Sequence, residues 1–163
     1  MPEPESGGAA AATGDEALLF RLFNEIGIIN QLATTAFERV MPHDLTIAQF
    51  TILNHCVPLG DNKTPAQLAD ILQVTRGTLT STLGRLAEKR FISLVPDAAD
   101  GRSKRVVLTA AGREARDAAI AAAQPLLETA RLAMPRATVV RMLPALEDLR
   151  RWLDANRQKP PQL

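Results

Sequence analysis

The stretch that decides the fold runs from Thr64 to Thr109: TPAQLADILQVTRGTLTSTLGRLAEKRFISLVPDAADGRSKRVVLT. It opens with Thr64-Pro65-Ala66-Gln67, a capping box with proline at the favoured first helical position. Leu68, Ile71 and Leu72 then give a short helix one apolar face. Gln73-Val74 reads as a turn, and Thr75 caps a further helix bearing Leu79, Leu83 and Leu86 at helical spacing. After Lys89 the pattern changes. Phe91-Ile92-Ser93-Leu94-Val95 and Arg105-Val106-Val107-Leu108 are short, apolar and rich in β-branched residues, as strands are. The nine residues between them, Pro96-Asp97-Ala98-Ala99-Asp100-Gly101-Arg102-Ser103-Lys104, have turn composition. Two short helices on a tight turn, followed by a hairpin with a long charged tip, spell a winged helix-turn-helix.

Working outward, Thr46-Ile47-Ala48-Gln49 is a second capping box, opening a helix with Phe50, Leu53 and Val57 that stops around Pro58 and Gly60. Further upstream, Thr13-Gly14-Asp15-Glu16 has the same form. It starts a long helix with an apolar stripe of Leu18, Leu22, Ile26, Ala33, Phe37 and Val40, ended by Pro42. Downstream, Thr109 caps an Ala-rich helix over about 110–134, kinked by Pro125. A last helix over about 136–157 aligns Met142, Leu146, Leu149 and Leu153, and Pro144 is expected to bend or interrupt it. The expectation is a mainly α fold with a small β-hairpin wing. A disordered tail (1–14) and an N-terminal helix (15–41) precede a winged helix-turn-helix (45–109); C-terminal helices (110–157) and a short tail (158–163) follow.

Composition removes several classes. One cysteine among 163 residues rules out a disulfide scaffold and suits a reducing compartment. No apolar run approaches the length that crosses a bilayer, and Glu3 and Glu5 stand where a secretory signal carries bases, so a cytoplasmic protein without membrane association is expected. The 19 basic and 18 acidic side chains look balanced but are segregated by position. Residues 1–62 carry a net −6, residues 63–116 a net +5, and residues 117–163 a net +2. The field a partner meets depends on where charges sit, so the near-zero sum is compatible with a basic reading head.

What that head exposes is specific. With its leucines inward, the second short helix presents Thr75, Arg76, Thr78, Thr80, Ser81 and Arg85, and no acid occurs between Thr75 and Ala87. Hydroxyls and guanidiniums suit base edges and phosphates in a major groove, and Gly77 permits close approach. A merely solvated helix interleaves Glu with its bases. On the hairpin tip, Asp100, Arg102, Ser103, Lys104 and Arg105 crowd together, with arginine suited to a narrow minor groove and Asp100 able to orient Arg102. Double-stranded DNA is the expected partner. The competing reading is a helical adaptor that uses the same basic face to bind an acidic protein without reading sequence.

The run Leu86-Ala87-Glu88-Lys89, Phe91-Ile92, and Pro96 through Gly112 with its Asp-Gly-Arg-Ser-Lys tip and Leu-Thr-x-x-Gly exit resembles the wing signature of the MarR family of bacterial transcription regulators. The order of flanking helices matches over about residues 15–157. The resemblance implies obligate homodimers on pseudo-palindromic operators, interlocked through N- and C-terminal helices, with the wing arginine, here Arg102, in the minor groove. It also implies a repressor released by a small effector, often a phenolic or aromatic acid bound between dimer helices and DNA-binding lobe. Two positions depart from the pattern: Arg90 stands where the family usually has Gly, straining the turn or adding a phosphate contact, and Leu94 where it often has Arg.

Dimerisation is also expected from the residues. The first and last helices are amphipathic and have little else to bury against, which points to Leu18, Leu22, Leu149, Trp152 and Leu153; for Trp152 a place in its own chain's core is the alternative. Asn30 interrupts the first helix's stripe with Thr34 one turn on, marking either a core or dimer contact or an effector pocket. Cys56, beside Ile52 and Leu53, is expected to be buried rather than redox-active. His43 and His55 lack metal-ligand spacing with Asp44 and Cys56, and no catalytic triad or phosphate loop occurs, so no metal, cofactor or enzyme activity is expected.

Overall fold

A computed structural model of the chain describes residues 14–59, 63–97 and 103–157. The order of elements is α1 (Gly14–Val40), a 3-10 turn (Pro42–Asp44), α2 (Ile47–Leu59), α3 (Pro65–Leu72), α4 (Arg76–Glu88), β1 (Ile92–Pro96), β2 (Lys104–Leu108), α5 (Ala110–Ala133) and α6 (Arg136–Asn156). The fold is mainly helical with one antiparallel hairpin, paired in the register Ile92 with Leu108 through Pro96 with Lys104. No helix among the described residues is long and apolar enough to cross a membrane. The expected cap Thr13 and both tails, residues 1–13 and 158–163, lie outside the described residues.

Local capping builds the head. The Thr46 hydroxyl accepts from Gln49 N–H, and the Gln49 side chain accepts in return from Thr46 N–H. Thr64 and Gln67 repeat this reciprocal pair at α3, which ends at Gln73 in the left-handed conformation. Two residues on, Thr75 accepts from Thr78 N–H and caps α4, which begins at Arg76. The apolar faces of these helices meet Ile92, Val106 and Leu108 of the hairpin and Ala115 and Ala119 of α5 in one core, where Leu53, Leu68 and Leu86 are fully enclosed. Lys63 extends the hairpin by one bridge, its carbonyl accepting from Val106 N–H at 3.0 Å.

The exit from the hairpin explains its sequence. Thr109 accepts from Gly112 N–H to cap α5, while its hydroxyl donates to the Arg90 carbonyl at 2.8 Å. This closes the turn after α4 onto the start of α5 so tightly that a Cβ on Gly112 would lie 2.0 Å from the Phe91 carbonyl oxygen. Only glycine fits there. Arg90 adopts φ 60°, the left-handed region that glycine enters without steric cost.

Outside this core little is buried, although α1 packs against α5 and α2. Neither α1 nor α6 contains a buried residue, and of α1 only Phe37 packs against the core. Among the described elements, α6 makes no extensive contact with any other. Pro144 does not interrupt α6, which runs through it; a proline removes a single internal hydrogen bond, and this helix of 21 residues continues on both sides.

Candidate nucleic-acid interface

All six polar positions singled out on α4, Thr75, Arg76, Thr78, Thr80, Ser81 and Arg85, are exposed, while Leu79, Leu83 and Leu86 turn inward. Several hydroxyl protons are already committed within the helix. Thr80 donates to the Arg76 carbonyl at 2.8 Å, and Thr75 and Thr78 share a hydroxyl contact at 2.8 Å. Their remaining lone pairs suit the amino donors that cytosine and adenine present in a major groove. Arg76 and Arg85 bracket this row and have no ion-pair partner among the described residues. Gly77 and Gly84 lie on the same exposed face, and a Cβ at either would meet nothing closer than 4.0 Å. The fold itself therefore does not require glycine there, in contrast with Gly112.

The recognition face is held from behind by a residue that the sequence pattern did not single out. Lys89, at the end of α4, donates through Nζ to the His43 and Asp44 carbonyls at 2.8 and 2.9 Å and to Gln49 Oε1 at 3.1 Å. Gln49 is itself buried, so this one ammonium ties the C-terminal end of α4 to α2 and to the 3-10 turn. The His43 ring packs edge-on against Phe91 at 5.7 Å between centroids, beside the same turn. No local window carries a signal for these contacts, because partners lie 40 to 46 residues away.

On the wing, Ser103 is half-buried and Lys104 exposed, whereas Asp100 and Arg102 lie outside the described residues. Arg105 is half-buried on the face of β2 opposite Val106. Its Nε lies 2.9 Å from Asp97 Oδ1, and the Asp97 side chain is only 8% exposed. Asp97 N–H also donates to the Ser103 carbonyl at 2.8 Å. Asp97 and Arg105 thus close the base of the tip from both sides, a bracing role that the crowding of bases around residue 102 does not reveal. Leu94, on β1, is exposed at the position where a charge was noted as missing.

The remaining candidates are spread over the helices beyond the head. Leu18, Leu22, Trp152 and Leu153 are exposed and Leu149 is half-buried. Trp152 is 60% exposed, which removes the alternative of a place in its own chain's core. Asn30 is exposed rather than buried in a stripe, because α1 has no neighbour covering that face within the chain; Thr34 is half-buried. Cys56 is buried. No group of three metal-ligating side chains comes together among the described residues.

Comparison with known proteins gives this arrangement relatives. A family model described as "MarR family" matches residues 43–103. The transcriptional activatory protein BadR of Rhodopseudomonas palustris is 31% identical over 98 residues, covering 59% of this chain and 54% of BadR. The chain therefore spans about half the length of the curated relative it matches. Among solved structures, a mutant of MarR from E. coli in complex with operator DNA is 25% identical with a TM-score of 0.74, over 85% of this chain and 99% of that one. A probable transcriptional regulator from Pseudomonas aeruginosa is 26% identical with a TM-score of 0.69, over 78% and 98%.

Proposed function

Because this chain belongs to the MarR family of winged helix-turn-helix transcription regulators, we propose that it acts as a homodimeric repressor that binds a pseudo-palindromic operator and is released by a small effector. The family and fold are those of DNA-binding transcription regulators rather than of enzymes. The observation that carries the DNA reading is the exposed face of α4. It offers hydroxyls and guanidiniums with no acid from Thr75 to Ala87, next to a basic wing. The solved complex of MarR with operator DNA supports it.

The mechanism follows from the two halves of the chain. Apolar residues of α1 and α6 are buried against a second copy, and the two-fold axis sets two α4 helices about one turn of DNA apart, roughly 34–36 Å. Each α4 reads base edges through Thr75, Thr78, Thr80 and Ser81, with Arg76 and Arg85 on flanking phosphates. Each wing extends Arg102 into the minor groove beside Lys104. Repression by occupancy needs nothing beyond this binding, whereas activation, the role in BadR's description, needs a further contact with the transcription machinery. The effector, a phenolic or aromatic acid, binds where the dimer helices meet the head, against Asn30 and Thr34.

Selection of bound duplexes from random DNA tests the proposal. A recovered pseudo-palindrome, bound with steep salt dependence and discriminated against scrambled sequence, is the expected result. Binding that is steep in salt but indifferent to sequence would overturn it and fit an adaptor for acidic partners instead.

A further inference from the structure

The two ends of the recognition helix are anchored differently, and the N-terminal anchor leaves the head. At the C-terminal end, Lys89 holds α4 to groups within the head. At the N-terminal end the anchor is Gln73, two residues before the α4 cap Thr75. Gln73 sits in the left-handed conformation (φ 57°, ψ 37°) that reverses the chain between α3 and α4. Both ends of its side-chain amide are engaged: Nε2 donates to the Asp70 carbonyl at 2.7 Å, and Oε1 accepts from Nη1 of Arg157, the residue that caps the far end of α6.

That second bond spans an otherwise open corner. A recess of about 530 Å³ separates α3 from the end of α6, lined by Ile71, Gln73, Arg150, Leu153, Asp154 and Arg157. With α6 otherwise in little contact with its own chain, the Arg157–Gln73 hydrogen bond is a direct tie between the C-terminal helix and the turn that aims α4. Arg157 is itself steadied by Asp154, 3.8 Å away.

We propose that Gln73 and Arg157 are positioning residues that fix the recognition helix relative to the C-terminal helix, and thereby set the half-site spacing the dimer accepts. This rests on the operator-binding dimer proposed above. A two-fold dimer built through α6 has a fixed distance between its α6 helices. If the turn before α4 is tied to α6, the distance between the two α4 helices is fixed too, and an operator with its half-sites moved apart must strain one tie or lose contacts. Without the tie, the head pivots and tolerates more spacings. Neither residue touches DNA in this account.

The test uses the full-length chain and its selected operator, with one or two base pairs inserted or removed between half-sites. Arg157→Ala and Gln73→Asn are the variants; asparagine tolerates the left-handed conformation but its amide is too short to reach Arg157. Each is expected to keep wild-type affinity for the native spacing and the wild-type sequence preference within a half-site. Each should reduce the penalty for altered spacing by about three- to ten-fold, the scale of one lost hydrogen bond. The double variant should match either single one, and Arg157→Lys should restore part of the discrimination. A spacing profile identical to wild type, or a uniform loss at every spacing, would overturn the tie while leaving the operator reading intact. A wild-type chain that selects no sequence from random DNA would overturn both.

Discussion

Leu83 in the head and Leu132 on α5 are the same side chain with opposite fates: 2% of one is exposed and 80% of the other. The same contrast separates the two regions throughout. Residues 41–119 enclose most of their large apolar side chains in a core shared by α2, α3, α4, the hairpin and the first half of α5, with Ile71, Val74, Leu94 and Val95 left exposed. The helices beyond it expose Leu18, Phe20, Leu32, Leu132 and Trp152. Large apolar side chains exposed in such number along α1, α5 and α6 mark a surface suited to a partner. The head is completed by its own chain, and in the proposed function a second copy completes the arms.

The contrast breaks first, and hardest, at Gly112. Its Cβ would collide with backbone rather than with a flexible side chain, so Gly112→Ala must shift α5 or the turn before β1. A loss of roughly 3 kcal/mol is expected in denaturant unfolding, with the head's cooperativity impaired. Wild-type stability would contradict the close approach. Trp152→Ala acts on the other region: the dimer should weaken by about thirty-fold, roughly 2 kcal/mol, in sedimentation equilibrium, with head helicity unchanged. An unchanged dimer constant would remove Trp152 from the interface.

Arg90→Gly gives the smallest effect and reverses the sign. Leaving the left-handed region strained costs a non-glycine residue about 1–2 kcal/mol, and glycine's greater freedom in the unfolded chain offsets about half of that. A gain of about 0.5 kcal/mol in unfolding free energy is expected, and a loss would show that the Arg90 side chain contributes more than its backbone costs.

How much of this was legible in the sequence depended on the range of the interaction. The reciprocal pairs Thr46–Gln49 and Thr64–Gln67, and the caps at Thr75 and Thr109, act over three residues, and the helix starts followed from them. The hairpin was legible because apolar β-branched runs flank a turn-forming tip. The braces were not. Lys89 reaches back 46 residues to His43, and Arg157 reaches Gln73 across 84. Arg105 looked like one more base on a charged tip until Asp97 was found beside it, 2.9 Å away and buried. Pro144 was expected to bend or interrupt α6; it does not interrupt it, because α6 continues through it on the bonds of its other turns. Asn30, expected as a core or dimer contact or in an effector pocket, is exposed within its own chain, because the packing of α1 on α5 and α2 leaves that face uncovered.

The central claim of the proposed function is that the head reads DNA and the arms pair and position the heads. Operator affinity and dimer mass measured together on Arg102→Ala test it most directly. The account predicts an affinity loss of about ten- to hundred-fold and a shallower salt dependence, with an unchanged dimer. Wild-type operator affinity in this variant would contradict it.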